Sequence, residues 1–477
     1  MKNIKRISAI LLVLVLAFGM CGCKSNPDDG SDFSYYESYI TTTVTTEKEN
    51  NSDDTPDSNT DNTTSGSKKE PEKVKDLGGR TITFITGWAE PKKGESAFTN
   101  EYWAKKLEVE KKYNCKFNFV HGTGDWFNTL TLSILSGSPS ADVFCYTGNP
   151  YPGIANKLYY DLSKLENIDL SEGKWSSAVT DIGTVGKAQY TMLSSRFEPP
   201  AAILYNKDIF EAQGLPDLYT LQKKGELTLN KFIEIIRKID MPTGKYVAMA
   251  YENAFNAHRT FMYSYGGAYV TRKAGTLEFK STINSEAVIN GFNVAQSLIN
   301  DGILHNGRNG SNTVQWDYSR EQFAAGNTAV LIGDTAWTYP FTNGDFEPGI
   351  ILIPDTKGGT ANIFKEATIW CAMPYNVNKV EEVAAVFNEM TDVIFQVNYK
   401  VKFQDIVSDD VMELINESSK NQLEGKYIPD YSTTCINLWD DGVGEVLKKV
   451  VIGQSTVAQG VQTIEPLINT KINSMLQ

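Results

Sequence analysis

The chain has 477 residues, 58 acidic against 45 basic side chains and a formal net charge of −13. That balance excludes nucleic acid as a partner, because phosphate binding needs clustered lysine and arginine. It also excludes electrostatic attraction to an anionic lipid surface. The length is enough for two or three domains.

Lys2, Lys5 and Arg6 precede an apolar run from Ala9 to Met20, which ends in Met20-Cys21-Gly22-Cys23. A basic start, a short apolar core and a small residue before a cut make a secretory signal. The run is too short to cross a bilayer, which takes about 20 residues. The cysteine at the cut resembles the bacterial lipoprotein signal. Residues 1–22 are therefore expected to be removed and Cys23 lipidated. Cys21 fits less well, because Met20 is bulky at the position before it. The mature chain would carry a charge of about −16, so its hold on the membrane must come from the lipid, and stable anchoring takes more than one acyl chain. Residues 23–76 are rich in Ser, Thr, Asn, Asp, Glu and Lys. Such a stretch buries too little apolar surface to offset the entropy of ordering and is expected to be a disordered tether. Phe33, Tyr35, Tyr36 and Tyr39 form one aromatic patch within it.

From Leu77 the pattern changes. A β-rich run, Thr81–Ile85, is followed by helical spacing from Thr99 to Lys112. Trp103 and Leu107 lie on one stripe of that helix, and Tyr102, Val109 and Tyr113 on the next; Asn114 is a natural stop. Cys115–Val120 reads as a strand. Trp126–Ser136 reads as a helix with Phe127, Leu130 and Ile134 on one face and Gly137 as its cap. Ala141–Tyr146 is a third strand. This alternation predicts a parallel sheet with right-handed crossovers. It returns with a strand at Ala201–Tyr205 and a helix capped by Thr228 that carries Phe232, Ile235, Ile236 and Ile239. A helix with Val288, Phe292, Ala295 and Ile299 follows, closed near Gly302, then a strand at Ala329–Ile332. Asn378 and Glu381 read as a capping pair before Val383, Val386, Phe387 and Met390. Val457, Val461, Ile464 and Ile468 mark a last helix containing Pro466. The fold class is α/β with two sheets.

No phosphate loop, HExxH, GxSxG or complete GxGxxG is present. His121, His258 and His305 are widely spaced and make no local zinc or nucleophilic arrangement. No metal and no cofactor is expected. A glycosidase carboxylate pair is neither supported nor excluded by counting. Cys115, Cys145, Cys371 and Cys435 show no CxxC spacing. They read as buried small apolar thiols rather than a disulfide framework, with one or two bridges left open.

Four segments in order carry a family likeness. They are Leu132–Val143 (LSILSGSPSADV), Tyr205–Phe210 (YNKDIF) with Gly214-Leu215-Pro216, Gly225–Phe232 (GELTLNKF), and Phe323–Val330 (FAAGNTAV). Together they resemble extracellular solute-binding protein family 1, the maltose-binding-protein-like receptors of carbohydrate ABC importers, over nearly all of residues 77–477. Leu229 stands where the family usually has tryptophan. The resemblance implies a two-lobed type II periplasmic-binding-protein fold with a hinge of three crossings and the ligand between the lobes. Residues 77–197 and 375–427 would form the N-terminal lobe, and 198–370 and 428–477 the C-terminal lobe. The crossings are expected near Arg196–Pro199, Cys371–Tyr375 and Tyr427–Tyr431.

Sugars offer C–H faces to aromatic rings and hydroxyls to charged groups and amides. Such residues are expected in loops after strand ends. Trp88 and Glu90 follow the first strand, and Tyr146 and Asn149 the third. The resemblance places a ligand-gripping carboxylate at the first crossing, near Arg196 and Glu198, which could alternatively pair with each other. It places ligand contacts near Asn256, with Glu252 as second choice. It puts a sugar-stacking tryptophan at Trp337 and an aromatic near Trp439. Trp370 lies at the second crossing. Trp103 is assigned to the core, and Trp126, Trp175 and Trp316 could also line the cleft but are not chosen for it. Asp142 is read as structural. The expected protein is a lipid-anchored monomer outside the cytoplasm that binds a carbohydrate and serves separate permease and ATPase chains. The alternatives are the same fold binding another solute, such as a peptide, a surface glycoside hydrolase, or a scaffold with a lapsed cleft.

Overall fold

The computed structural model describes residues 76–94, 97–194, 201–241, 247–251, 257–305, 318–334, 345–361, 369–394, 426–432 and 443–476, with scattered positions between 409 and 421. All fall within one compact unit, Ser67–Gln477. The expected signal, Cys23 and nearly all of the tether lie outside the described residues.

The first lobe grows from β1 (Arg80–Thr86), α1 (Ala97–Tyr113), β2 (Cys115–His121), α2 (Trp126–Leu135) and β3 (Val143–Thr147). β1 pairs in parallel with both β2 and β3, as the alternation predicts. α3 (Tyr151–Ala155), α4 (Ser177–Gly183) and the short hairpin of β4 (Thr184–Val185) and β5 (Ala188–Gln189) follow. The second lobe begins with β6 (Ala201–Asn206), α5 (Lys207–Ala212), α6 (Leu218–Lys223) and α7 (Leu229–Ile236). Next come β7 (Val247–Tyr251), α8 (Ala257–Ser264), a hairpin of β8 (Val270–Arg272) and β9 (Phe279–Ser281), and α9 (Glu286–Asn300). It continues with α10 (Tyr318–Ala324), β10 (Thr328–Asp334) and β11 (Pro348–Leu352). The chain then returns to the first sheet with β12 (Ile369–Ala372) and α11 (Val380–Ile394). It ends on α12 (Val443–Val451) and α13 (Val457–Ser474). The two main sheets have strand orders β12-β3-β1-β2 and β11-β6-β10-β7.

Local chemistry explains the element ends. Asn114 closes α1 at a φ of 47°, a left-handed conformation that asparagine tolerates. Thr228 caps α7 by accepting from the Lys231 N–H. α7 then buries Phe232, Ile235 and Ile236 in the second core, each contributing about 1.5–3 kcal/mol of hydrophobic stabilisation. Gly291 lets α9 lie against α8, since a Cβ there would come within 2.6 Å of the Met262 nitrogen. α13 opens with a reciprocal capping box between Thr456 and Gln459 and runs through Pro466.

Two expectations fail on tertiary grounds. On α1 the buried stripe is Tyr102, Val109 and Tyr113, whereas Leu107 is exposed; two apolar stripes were available and only one meets the sheet. Trp103 is half-buried, donating to the Pro91 carbonyl at 2.8 Å. Glu381 does not cap α11. Its carboxylate accepts from the Glu166 and Asn167 N–H groups at 3.0 and 3.2 Å and from the Asn167 amide, tying α11 to a distant loop. Asp142 does hold the strand start. It accepts from the Thr83 N–H at 2.8 Å and pairs with Arg80, which also binds Glu382.

Two buried polar groups test this packing. In the second lobe Asp430 is wholly buried. It accepts from the Ser432 N–H at 3.0 Å, the Val270 N–H at 3.3 Å and the Tyr263 hydroxyl at 3.0 Å, with Arg259 at 3.6 Å. Removing one partner of a buried pair costs about 3–5 kcal/mol. Asp430→Ala should lower unfolding free energy by that amount in chemical denaturation, and Asp430→Asn by less. His258 is stacked on Phe292 at 4.5 Å. Among the described residues neither of its nitrogens meets a hydrogen-bond partner. Burial, then the Arg259 charge, holds its pKa well below 6.5. The folded state keeps it neutral while the unfolded chain protonates it. Stability should thus be full above pH 6.5 and fall on acidification, by about 1.4 kcal/mol per unit from this group. His258→Phe should flatten that part of the slope in denaturation midpoints measured between pH 7 and 5.

Candidate ligand-binding site

β1, β2 and β3 all end on one edge of the first sheet, where parallel sheets characteristically receive ligands. β1 runs out into Gly87-Trp88, β2 into Gly122, and β3 into Gly148-Asn149. Trp126, the first residue of α2, sits over this edge. It reaches its place because residue 122 is glycine: a Cβ there would lie 2.4 Å from the Trp126 ring. The Gly122 N–H is held by the Thr86 carbonyl at 2.7 Å.

Trp126 meets Phe127 and Tyr146 edge-on, each at 5.7 Å. Phe127 and Tyr146 stack face to face at 3.7 Å. All three rings are half-buried, as is Trp88. Beneath them lies Trp370, wholly buried. It is edge-on to Phe127, Tyr146 and Phe144, and its indole N–H donates to the Gly148 carbonyl at 2.9 Å. The result is an aromatic shelf with a solid footing.

The shelf lies at the edge where the chain connections between the two sheets run. β12 runs antiparallel to β3, with Ile369 opposite Thr147. The chain arriving from the second sheet therefore enters the first at the shelf edge. Met192 bridges Cys371 in antiparallel fashion, so the chain leaving toward β6 departs from the same edge. In the second sheet Ala201 pairs with Asp334 and Tyr251 with Ile332, which brings together the strand ends that flank residues 195–200, 252–256 and 335–344.

The expected site residues divide accordingly. Tyr146 is part of the shelf, and Trp88 lies at the end of β1. Glu90 is taken up within its own lobe, accepting from the Tyr102 hydroxyl at 2.7 Å and pairing with Lys106 at 2.6 Å. Burial first, and then this carboxylate, raise the Tyr102 pKa. The Asn149 side chain accepts from the Tyr151 N–H at 2.9 Å and turns the chain into α3. Trp370 is core rather than surface: a fully covered ring has no face to offer a ligand. Arg196, Glu198, Glu252, Asn256, Trp337 and Trp439 lie outside the described residues. Sequence reading left Trp126 as an unchosen candidate and took Phe127 only as part of a helix face. The available signal was Gly122, a small residue four positions before an aromatic helix start.

A second interlobe contact lies at β8. The Arg272 guanidinium donates to the carbonyls of Ile182 and Thr184 at 3.2 Å each, and to that of Asp181. It thereby adds a charged donor at the C-terminal end of α4, where the Asp181 carbonyl also accepts from the Thr184 N–H. The Arg272 ion also lies over the Tyr151 and Tyr431 rings. The Tyr427 hydroxyl donates to Asp181 at 2.5 Å; burial and this carboxylate raise its pKa. The Gly186 N–H donates to the Gly275 carbonyl at 2.8 Å. Among the described residues no group of His, Cys, Asp and Glu is placed to hold a metal, and no helix is long and apolar enough to cross a membrane.

The profile of the bacterial extracellular solute-binding proteins matches residues 91–393, and the chain belongs to that family. The family places it outside the cytoplasm. Comparison with curated proteins finds no match. Among solved structures it is similar to a cyclo/maltodextrin-binding protein complexed with maltotetraose, at 15% identity and TM-score 0.59 over 84% of this chain and 99% of the other. It is similar to an ABC substrate-binding protein from Listeria monocytogenes in complex with cycloalternan, at 17% identity and TM-score 0.53 over 83% and 99%. UgpB from Mycobacterium tuberculosis, in complex with glycerophosphocholine, aligns at 16% identity and TM-score 0.54 over 83% and 100%. At these identities the likeness is one of fold: two lobes, as the sequence implied.

The Arg272 contact yields a further test. Arg272→Ala removes the guanidinium donor to the Ile182 and Thr184 carbonyls and should destabilise the protein by about 1.5–3 kcal/mol, the range for hydrogen bonds to a charged group. Thermal or chemical denaturation measures this directly, and Arg272→Lys should recover only part, since one ammonium cannot reproduce the guanidinium fork.

Proposed function

We propose that this protein is the lipid-anchored substrate-binding component of an ABC importer and that it takes a sugar or oligosaccharide between its lobes. The observation that carries the reading is the half-buried shelf of Trp126, Phe127 and Tyr146 at the edge where the chain passes between the two sheets. Aromatic faces match the C–H faces of a pyranose. Trp337, Arg196, Glu198 and Asn256 are proposed to approach from the second lobe and the crossings, with Trp88 and Trp439 at the margins. Ligand contacts to both lobes would stabilise the closed form, and separate permease and ATPase chains would read that form. Cys23 would carry the lipid. In this reading the protein catalyses no reaction, works as a monomer and needs no cofactor.

A thermal-shift screen of the folded body against mono- and oligosaccharides, with peptides and glycerophosphodiesters as controls, tests the proposal. A ligand that binds only the folded state at a hundredfold excess over Kd adds about 2.7 kcal/mol. One sugar class should raise the melting temperature, and Trp126→Ala should weaken its binding about tenfold, equivalent to about 1.4 kcal/mol. A shift with peptides or phosphodiesters alone would overturn the carbohydrate assignment and leave the fold intact.

A further inference from the structure

β3 and β12 run antiparallel, and their register sets Cys145 directly opposite Cys371. Both main-chain groups of Cys371 turn away from β3. Its N–H donates to the Met192 carbonyl at 2.8 Å, and its carbonyl accepts from the Met192 N–H at 2.9 Å. The two cysteines therefore occupy a non-hydrogen-bonded position of the ladder. There opposed Cα atoms approach to about 4.5 Å and side chains on the shared face come closest. Disulfides span Cα separations of about 4.4–6.8 Å, so the strands need not move to be bridged. Both residues are wholly buried and held as thiols in this structure. Cys115 is distant from them in the ladder, opposite Arg80 at the far end of β1.

The family works outside the cytoplasm, where disulfides form and persist. We propose that Cys145 and Cys371 close a cross-strand disulfide in the exported protein. The oxidant is an external disulfide, either a small molecule or a thiol oxidoreductase. One deprotonated cysteine attacks it and releases one external thiol. The second cysteine then attacks the mixed disulfide and releases the other. Two protein thiols are oxidised and one external disulfide is reduced. Because both sulfurs are covered in the folded lobe, the exchange belongs to folding after export. The bridge would fasten β12, the strand on which the chain returns from the second lobe, to the strand that carries Tyr146 of the shelf. It stands independently of which solute is bound.

Peptide mapping tests it without any variant. The full chain is exported by a bacterial host and purified without reductant. A second sample is refolded from the reduced state with glutathione and glutathione disulfide. Thiols are alkylated in denaturant before digestion and mass spectrometry. The expected result is one linked species containing Cys145 and Cys371 that separates on reduction, with Cys115 alkylated. Alkylation of both Cys145 and Cys371 in both samples overturns the proposal, as does a link from either to Cys115 or Cys435. Melting of the exported chain beside a sample reduced in denaturant and refolded with reductant is the second measurement. Reduction should lower the melting temperature of the native chain, and an unchanged value overturns the bridge.

Discussion

The direction of β12 against β3 organises the molecule. Three parallel strands end on one edge, and a fourth, antiparallel strand begins there, with Ile369 opposite Thr147. Because β12 starts where the others finish, the chain from the second sheet must enter at that edge. The strand around Met192 leaves from it for the same reason. A ligand surface at the ends of parallel strands and the connections between lobes are thus brought together by strand direction alone. Gly122, Trp126 and Trp370 then decide what that surface is made of.

Buried and half-buried polar groups supply the rest of the definition. Arg80 gathers Asp142, Glu382 and the Asn378 carbonyl at the opposite end of the first sheet. Asp430 gathers Arg259, Tyr263 and two backbone N–H groups in the second lobe. Each network joins segments far apart in sequence and is costly if left incomplete. Arg272 does the same between lobes, binding carbonyls at the end of α4. The cation near a helix C-terminus also suits the helix dipole there.

Much of this was legible in the chain. The strands of the first lobe and the helix faces of α7 and α9 follow from periodicity, because each element buries one face and its apolar residues repeat at that element's own spacing. Asp142 was read as structural, and it is. The misreadings share a cause. Leu107 and the Tyr102–Val109–Tyr113 stripe are equally apolar, and nothing local says which one meets the sheet. Glu381 stands at a capping position, yet a loop more than two hundred residues earlier offers it two N–H groups. Trp370 and Trp126 are both tryptophans beside glycine or strand ends, and only the pairing of β12 beside β3 makes one core and the other half-exposed.

By itself the sequence determined the α/β alternation and the family. Both are local or cumulative properties of residue type and order. The tertiary structure alone decided which aromatic rings form the shelf, that Glu90 is held by Tyr102 and Lys106, and that Cys145 lies opposite Cys371. Those facts depend on strand register and direction, and a shift of one residue would turn every side chain of a strand to its other face.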